Sequence, residues 1–502
     1  MKKAVLTLLL SASSAFAAVK MPSVISDHMV LQSEKRVAIW GWADAGEAVT
    51  VEFAGQKQTT KADADGKWQI RLEPMQAGSA PQAMKVSGTN SITIQDVLVG
   101  EVWLASGQSN MAFKVGRGRD AEAEIAAAKF PQIRMYTVTR SAQPGPQADC
   151  GGEWVVCSPE SVASFSAVAY FMGRELHEKL KRPVGLINSS VGGTDIAAWT
   201  SEEVQLPIPE LNAFIEKWRQ TDASFDVEKA RQDYAQRMVR WKTAAEKATA
   251  GGRKAPRKPA SPMQPRLTSN YPAYLFEGRI KPLIPYTLRG AVWYQGEHNC
   301  STIEAGLLYR LQMPLLISDW RTRWAEEFPF AWVQLPGYTK SGPGRAFVRE
   351  AQLQTLKVKN TGMVVTLDIG DNNDNHPKNK QDVGKRLATW ALGRVYAQDM
   401  FDTSGPLFTG HEIRGSEVVA VFSHTEGGLT TRDGLRGFRI AGADKVLRPA
   451  QARIEDKKVV ISSPDVPKPV AVRYAWESGP EATLFNGAGL PASPFRTDDW
   501  KE

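Results

Sequence analysis

Five short, nearly unbroken apolar runs constrain this chain more than any other feature. They are Val97–Ala105, Val184–Asn188, Gly290–Tyr294, Phe330–Leu335 and Gly362–Leu367. A strand with one wet face alternates polar and apolar residues, whereas a strand covered on both faces does not. Helix-like stretches separate or follow them, at Ser166–Leu180, Arg349–Lys357 and Val383–Gln398. That alternation predicts an α/β domain over 96–400, a parallel sheet with helices on both faces. Residues 18–95 differ. Runs such as Arg36–Trp42, Ala48–Phe53 and Trp68–Leu72 alternate with turn residues and predict a small antiparallel β domain. The pattern returns to β over 404–502, with Val418–Phe422, Val459–Ser462 and Val470–Tyr474. An insertion at about 201–268 holds a long polar helix, Val227–Ala248, and a Pro-, Gly- and Lys-rich stretch from Gly251 to Pro262. That stretch reads as a solvated loop or as a basic patch for an acidic glycan.

Lys2 and Lys3 precede an apolar run, Ala4–Leu10, and then small residues up to Ala15-Phe16-Ala17. This is the pattern of a signal peptide over 1–17, and it implies a periplasmic or secreted protein. The apolar run is too short to span a bilayer, no later run is long enough, and no lipobox cysteine follows the cleavage point. The formal net charge is +8 over 502 residues, two of those charges being Lys2 and Lys3. So mild an excess gives no ground for a nucleic-acid partner. The sequence leaves the oligomeric state open. Of three cysteines, Cys150 and Cys157 lie close enough in sequence for a hairpin to bring them within disulfide range, and Cys300 is left over. No Cys/His spacing resembles a metal site.

Chemistry gathers in four clusters that follow buried strands, where an open α/β sheet forms its ligand crevice. Gly107-Gln-Ser-Asn-Met can present Ser109 in a strand-to-helix turn, although Met111 departs from the G-x-S-x-G elbow. Asn188-Ser-Ser-Val-Gly-Gly-Thr-Asp offers the amides of Gly192 or Gly193 to an oxyanion. Trp293-Tyr-Gln-Gly-Glu-His-Asn supplies the Gln295 amide and the Glu297 carboxylate. The fourth, Asp368 to Ala388, sets His376 among aspartates in a strand–helix loop, as suits a general base. Its Asp/Asn density also suits calcium, but His376-Pro377 follows and the EF-hand's closing glutamate is missing.

These clusters together resemble the sialate O-acetylesterase family (the SASA group) of SGNH-hydrolase-like carbohydrate acetylesterases. The shared blocks are G-Q-S-N-M at Gly107–Met111, G-G-T at Gly192–Thr194, W-Y-Q-G-E at Trp293–Glu297 and D-x-H-P-x-x-K at Asp374–Lys380. Ser26–Gln32 and Asn486–Trp500 resemble bacterial members too. The resemblance implies a flavodoxin-like, SGNH-type three-layer sandwich and a serine esterase without metal or cofactor, acting on O-acetylated carbohydrate. It makes Ser109 the nucleophile and His376 the base, oriented by Asp374 or, alternatively, Asp371. It gives an oxyanion hole of the Ser109 and Gly193 amides with the Gln295 side chain. Glu297, Asn110 and Arg349 are then candidates to bind substrate. His298, Asn375, Glu277 and Arg279 depart from the family pattern and leave the sugar open, so acetylated xylan is an alternative to sialic acid. A non-catalytic glycan-binding protein is the reading from another class.

Overall fold

The computed structural model describes residues 18–139, 145–400 and 402–500; the leader expected at 1–17 lies outside them. Its central sheet contains β1 (Ser91–Gly107), β2 (Phe130–Thr137), β3 (Trp154–Cys157), β4 (Val184–Ser190), β5 (Gly290–Tyr294), β6 (Phe330–Val333) and β7 (Thr361–Val364). The order across the sheet is β7-β6-β5-β1-β4-β2-β3. All neighbours run parallel except the edge pair β2–β3. The chain builds one side of β1 first and then crosses to the other. The carboxyl end of β1 is therefore a topological switch point, where such sheets open a crevice.

Six helices matter here: α1 (Ala167–Leu180), α2 (Pro209–Ala223), α3 (Val227–Ala250), α4 (Ile303–Trp324), α5 (Arg345–Gln354) and α6 (Lys380–Arg394). α1 packs on α6, and α4 on α5. The core is rich in tryptophan. Trp293 lies edge-to-face with Trp199 and Trp320, with centroids 5.8 and 5.9 Å apart, and all three are fully buried. Edge-to-face stacking sets the positive ring edge against the negative face, so it orients the rings as well as burying them.

β1 serves two sheets. Its first half pairs antiparallel with Gly78–Ser87, and Leu98–Gly100 pair in parallel with Val30–Gln32. Its second half, Glu101–Gly107, pairs with β4, and Trp103–Gly107 pair with β5. The change of sequence character at Asp96 therefore falls within one strand. After α6 come two four-stranded antiparallel sheets and a two-stranded one. The fold is thus mixed α/β, a central mixed sheet with added antiparallel sheets. Among the described residues no helix is long and apolar enough to cross a membrane. Cys150, Cys157 and Cys300 are buried free thiols, so the hairpin spacing does not produce a disulfide.

Candidate active site

The crevice at the end of β1 is built from backbone outward. Gly107 ends the strand at φ +137°, and a Cβ there would lie 2.2 Å from the Tyr294 carbonyl oxygen. Only glycine fits that conformation and that contact. The turn beyond is stitched to both neighbours: Gln108 N–H donates to the Tyr294 carbonyl, and Val191 N–H to the Gly107 carbonyl. The buried Gln108 side-chain oxygen accepts from the N–H groups of Gly296 and His298, at 3.3 and 3.4 Å. Ser109 is thereby held at the mouth of the crevice, half-buried.

His376 reaches it from the loop between β7 and α6. Its Nε2 lies 2.8 Å from Ser109 Oγ, within hydrogen-bond range across 267 residues of sequence. With Nε2 unprotonated, the serine hydroxyl donates to it, the geometry of a nucleophile and its base. The Asp/Asn richness of this loop has a local cause. Asp371 caps the Asn373 N–H at 2.8 Å, and Asp374 caps the His376 N–H at 2.9 Å, both side-chain turns that shape the backbone. The Asp374 carboxylate lies 3.9 Å from His376 Nδ1, close enough for charge attraction and too far for a hydrogen bond.

The Gly192–Gly193 turn covers the other side of the serine. A Cβ on Gly192 would touch Ser109 Cβ at 3.4 Å, and Gly193 sits at φ +71°. Among the described residues neither the Ser109 nor the Gly193 N–H has an intramolecular acceptor. Asn270 pins the turn, accepting from Asp195 N–H at 2.7 Å and donating to the Gly193 carbonyl at 3.1 Å.

Three expected contacts are corrected. The Gln295 side chain is fully buried and does not face an oxyanion. Its amide donates to the Thr194 carbonyl and Asn299 Oδ1, and its oxygen accepts from Tyr309. Arg349 is likewise fully buried. It donates to the carbonyls of Leu335, Pro336, Glu477 and Ser478, tying α5 to the last β sheets instead of meeting substrate. Asn110 is buried beneath the serine and joins the Ser109 turn to the Glu297 and His376 loops. It donates to Glu297 and to the Asn375 carbonyl, and it accepts from Lys380 Nζ at 2.6 Å. Glu297 is half-buried, with one oxygen engaged by Asn110.

Lys380 is the functional-site residue that sequence reasoning passed over. Fully buried, its ammonium lies 5.0 Å from the Phe113 ring centroid and 5.2 Å from that of Tyr294. Burial pushes its pKa down to about 7, against the opposing pull of Glu297 and Asp374. Its place in the D-x-H-P-x-x-K block, four residues after His376, was the available signal.

Comparison with known proteins gives the family. The profile of a family described as carbohydrate esterase, sialic acid-specific acetylesterase, matches residues 99–248 and 270–394. The chain belongs to that family. As a member of this esterase family it is a carboxylic ester hydrolase. The rat sialate O-acetylesterase (Rattus norvegicus) is 28% identical over 94% of this chain and 93% of its own length. The human one (Homo sapiens) is 27% identical over 94% and 91%. Among solved structures, a carbohydrate acetylesterase from Xanthomonas citri is 34% identical, with a TM-score of 0.81 over 96% of this chain and 100% of that one. The family profile passes over 249–269, the end of the insertion.

Proposed function

We propose that this member of the family is an exported serine esterase that hydrolyses O-acetyl esters of carbohydrates, with O-acetylated sialic acid as its first candidate substrate. The observation that carries the reading is the 2.8 Å approach of Ser109 Oγ to His376 Nε2 at the switch point of the sheet. His376 takes the serine proton as Oγ attacks the acetyl carbonyl. The oxyanion faces the Ser109 and Gly193 amides, the donors without acceptors of their own. The sugar oxygen leaves with the proton from His376, and water then releases acetate by the same route reversed. Asp374, rather than Asp371, is the acid that supports the imidazolium, since its carboxylate is the one beside Nδ1. We read the parallel sheet and its helices as an SGNH-type sandwich. The Lys2–Ala17 pattern supports export to the periplasm or beyond.

Acetate release by the purified chain tests this on O-acetylated sialic acid, acetylated xylan and an aryl acetate, beside Ser109→Ala and His376→Ala. Both substitutions are expected to reduce release by at least ~10³-fold on every substrate. Retained activity in Ser109→Ala would refute the serine mechanism, and preference for xylan would move the substrate to a plant polysaccharide. An N-terminus found at Met1 after expression in a Gram-negative host would refute export.

A further inference from the structure

The aspartates of the His376 loop are accounted for within the loop, Asp371 and Asp374 each capping the N–H two residues on. The asparagines beside them bond to other elements. Asn372 donates to the Gly479 carbonyl at 3.2 Å, and its own carbonyl accepts from the Thr339 N–H and hydroxyl, both at 2.8 Å. Asn375, the residue before His376, is held at two points. Its carbonyl accepts from the Asn110 side chain at 2.9 Å, and its side-chain oxygen accepts from Arg345 Nη1 at 3.3 Å.

Arg345 is built to hold another group. It opens α5 and is fully buried, and among the described residues it forms no ion pair. Its Nε donates to the Pro336 carbonyl at 2.9 Å, its Nη1 also reaches Ser341 Oγ at 3.4 Å, and the guanidinium carbon lies 5.8 Å from the Tyr338 ring centroid. A guanidinium kept from water with only neutral acceptors is drawn strongly to each of them. The backbone that carries it is fixed as well. A Cβ on Gly344 would lie 2.1 Å from the Thr302 carbonyl oxygen, and one on Gly342 2.3 Å from that of Cys300, so this stretch lies close against the segment that follows Glu297.

The His376 ring needs such support. In a triad, an acid bonded to Nδ1 sets the imidazole's orientation. Among the described residues no acid hydrogen-bonds to His376 Nδ1, since Asp374 stands 3.9 Å away and more than half exposed. Orientation then falls to the loop backbone. We infer that Asn375 and Arg345 are a positioning pair: Arg345 grips the Asn375 side chain, and the loop so held presents His376 Nε2 to Ser109 Oγ. The inference rests on the Ser109–His376 reading above and concerns what keeps that contact in place.

The test measures aryl acetate kinetics and fluorophosphonate labelling of Ser109 in N375L, N375A, N375D, R345M and N375L/R345M. Because Asn110 still holds the backbone, N375L and N375A are expected to lose about tenfold in kcat, short of the ~10²-fold that a 1 Å misplacement costs. KM stays unchanged, and labelling, which reads activation of the serine without a sugar, slows by the same factor. N375D keeps an acceptor for the guanidinium and restores wild-type rates. R345M loses as much as N375L, and the double variant loses no more than either, as two halves of one contact should. Wild-type kcat in N375L and N375A would overturn the inference. So would N375D as slow as N375L, or a raised KM with kcat intact, which would make Asn375 a substrate contact. If R345M does not fold, the Asn375 variants decide alone, since that position is a half-buried loop residue. Activity retained by Ser109→Ala would sink the serine reading itself, whereas an inactive Ser109→Ala beside a fully active N375L would sink only the pair.

Discussion

Ser109 and His376 stand in hydrogen-bond contact, but the acid beside them is loosely placed. Asp374 is more than half exposed and 3.9 Å from Nδ1, so water screens its hold on the imidazolium. Asp374→Asn is therefore expected to lower kcat only about tenfold, far below the ~10⁴-fold loss when a buried, hydrogen-bonded triad acid is replaced. Asp371→Asn is expected to leave kcat unchanged, and steady-state kinetics with an aryl acetate reads both. Lys380 offers a pH-dependent test. Its native pKa, about 7, lies below the ordinary 10.5, so between those values the unfolded chain holds a proton that the native chain has released. Wild-type stability should accordingly rise with pH over that interval relative to Lys380→Met, with a constant difference below pH about 7. Urea unfolding of both proteins at pH 6 to 9 measures it; parallel curves throughout would refute a buried amine that loses its charge. The sequence carried the identities of Ser109 and His376 because their blocks are contiguous. It did not carry the inward turn of Gln295 or the burial of Arg349. Those directions depend on which elements pack over the strand ends, and no local pattern records that.

At the scale of elements, the apolar runs were legible because burial on both faces removes alternation, and each of the five contributes a strand to the central sheet. The edge strand β3 and its neighbour β2 were not. Phe130-Pro-Gln-Ile-Arg-Met-Tyr-Thr carries a proline and an arginine, and only the structure shows Arg134 buried against Asp96, at 2.6 Å. Helix α4 was also missed, since Pro314 lies inside it and its apolar residues circle the axis. How strand ends meet loops decides function at this scale, and Gly107 is the junction that carries Ser109. Gly107→Ala would force a Cβ to within 2.2 Å of the Tyr294 carbonyl oxygen at φ +137°. The turn must shift, and Ser109 with it. The variant is expected to remain folded by circular dichroism and to lose at least ~10²-fold in kcat/KM, as misplacement of a reacting group by about 1 Å does. Full activity would show that the turn is softer than its hydrogen bonds indicate.

For the whole molecule, the shared strand makes the N-terminal β segment and the α/β core one mechanical unit, and Glu101 is where they meet. Its carboxylate is fully buried. It accepts from Gln32 and Ser33 on the N-terminal side and from Arg182, Arg289 and Tyr396 on the other. Burial alone would raise its pKa, but the bonds and charge of Arg289 outweigh that and hold it below the ordinary 4.5. The stability that follows is present above pH 4.5 and is lost as pH falls through the native value. Removing the charge should therefore separate what the strand joins. In Glu101→Gln the arginines keep a buried neutral partner, and the cost is expected to be about 3 kcal/mol. Hydrogen exchange locates that cost. In the wild type, amides of Val37–Trp42 and of Val102–Leu104 are expected to open with the same free energy, as one cooperative unit. In Glu101→Gln the N-terminal amides should open first, while those of β5 and β6 keep their protection. Equal loss in both regions would mean that coupling runs through the backbone of β1 alone, with Glu101 contributing stability but not the connection.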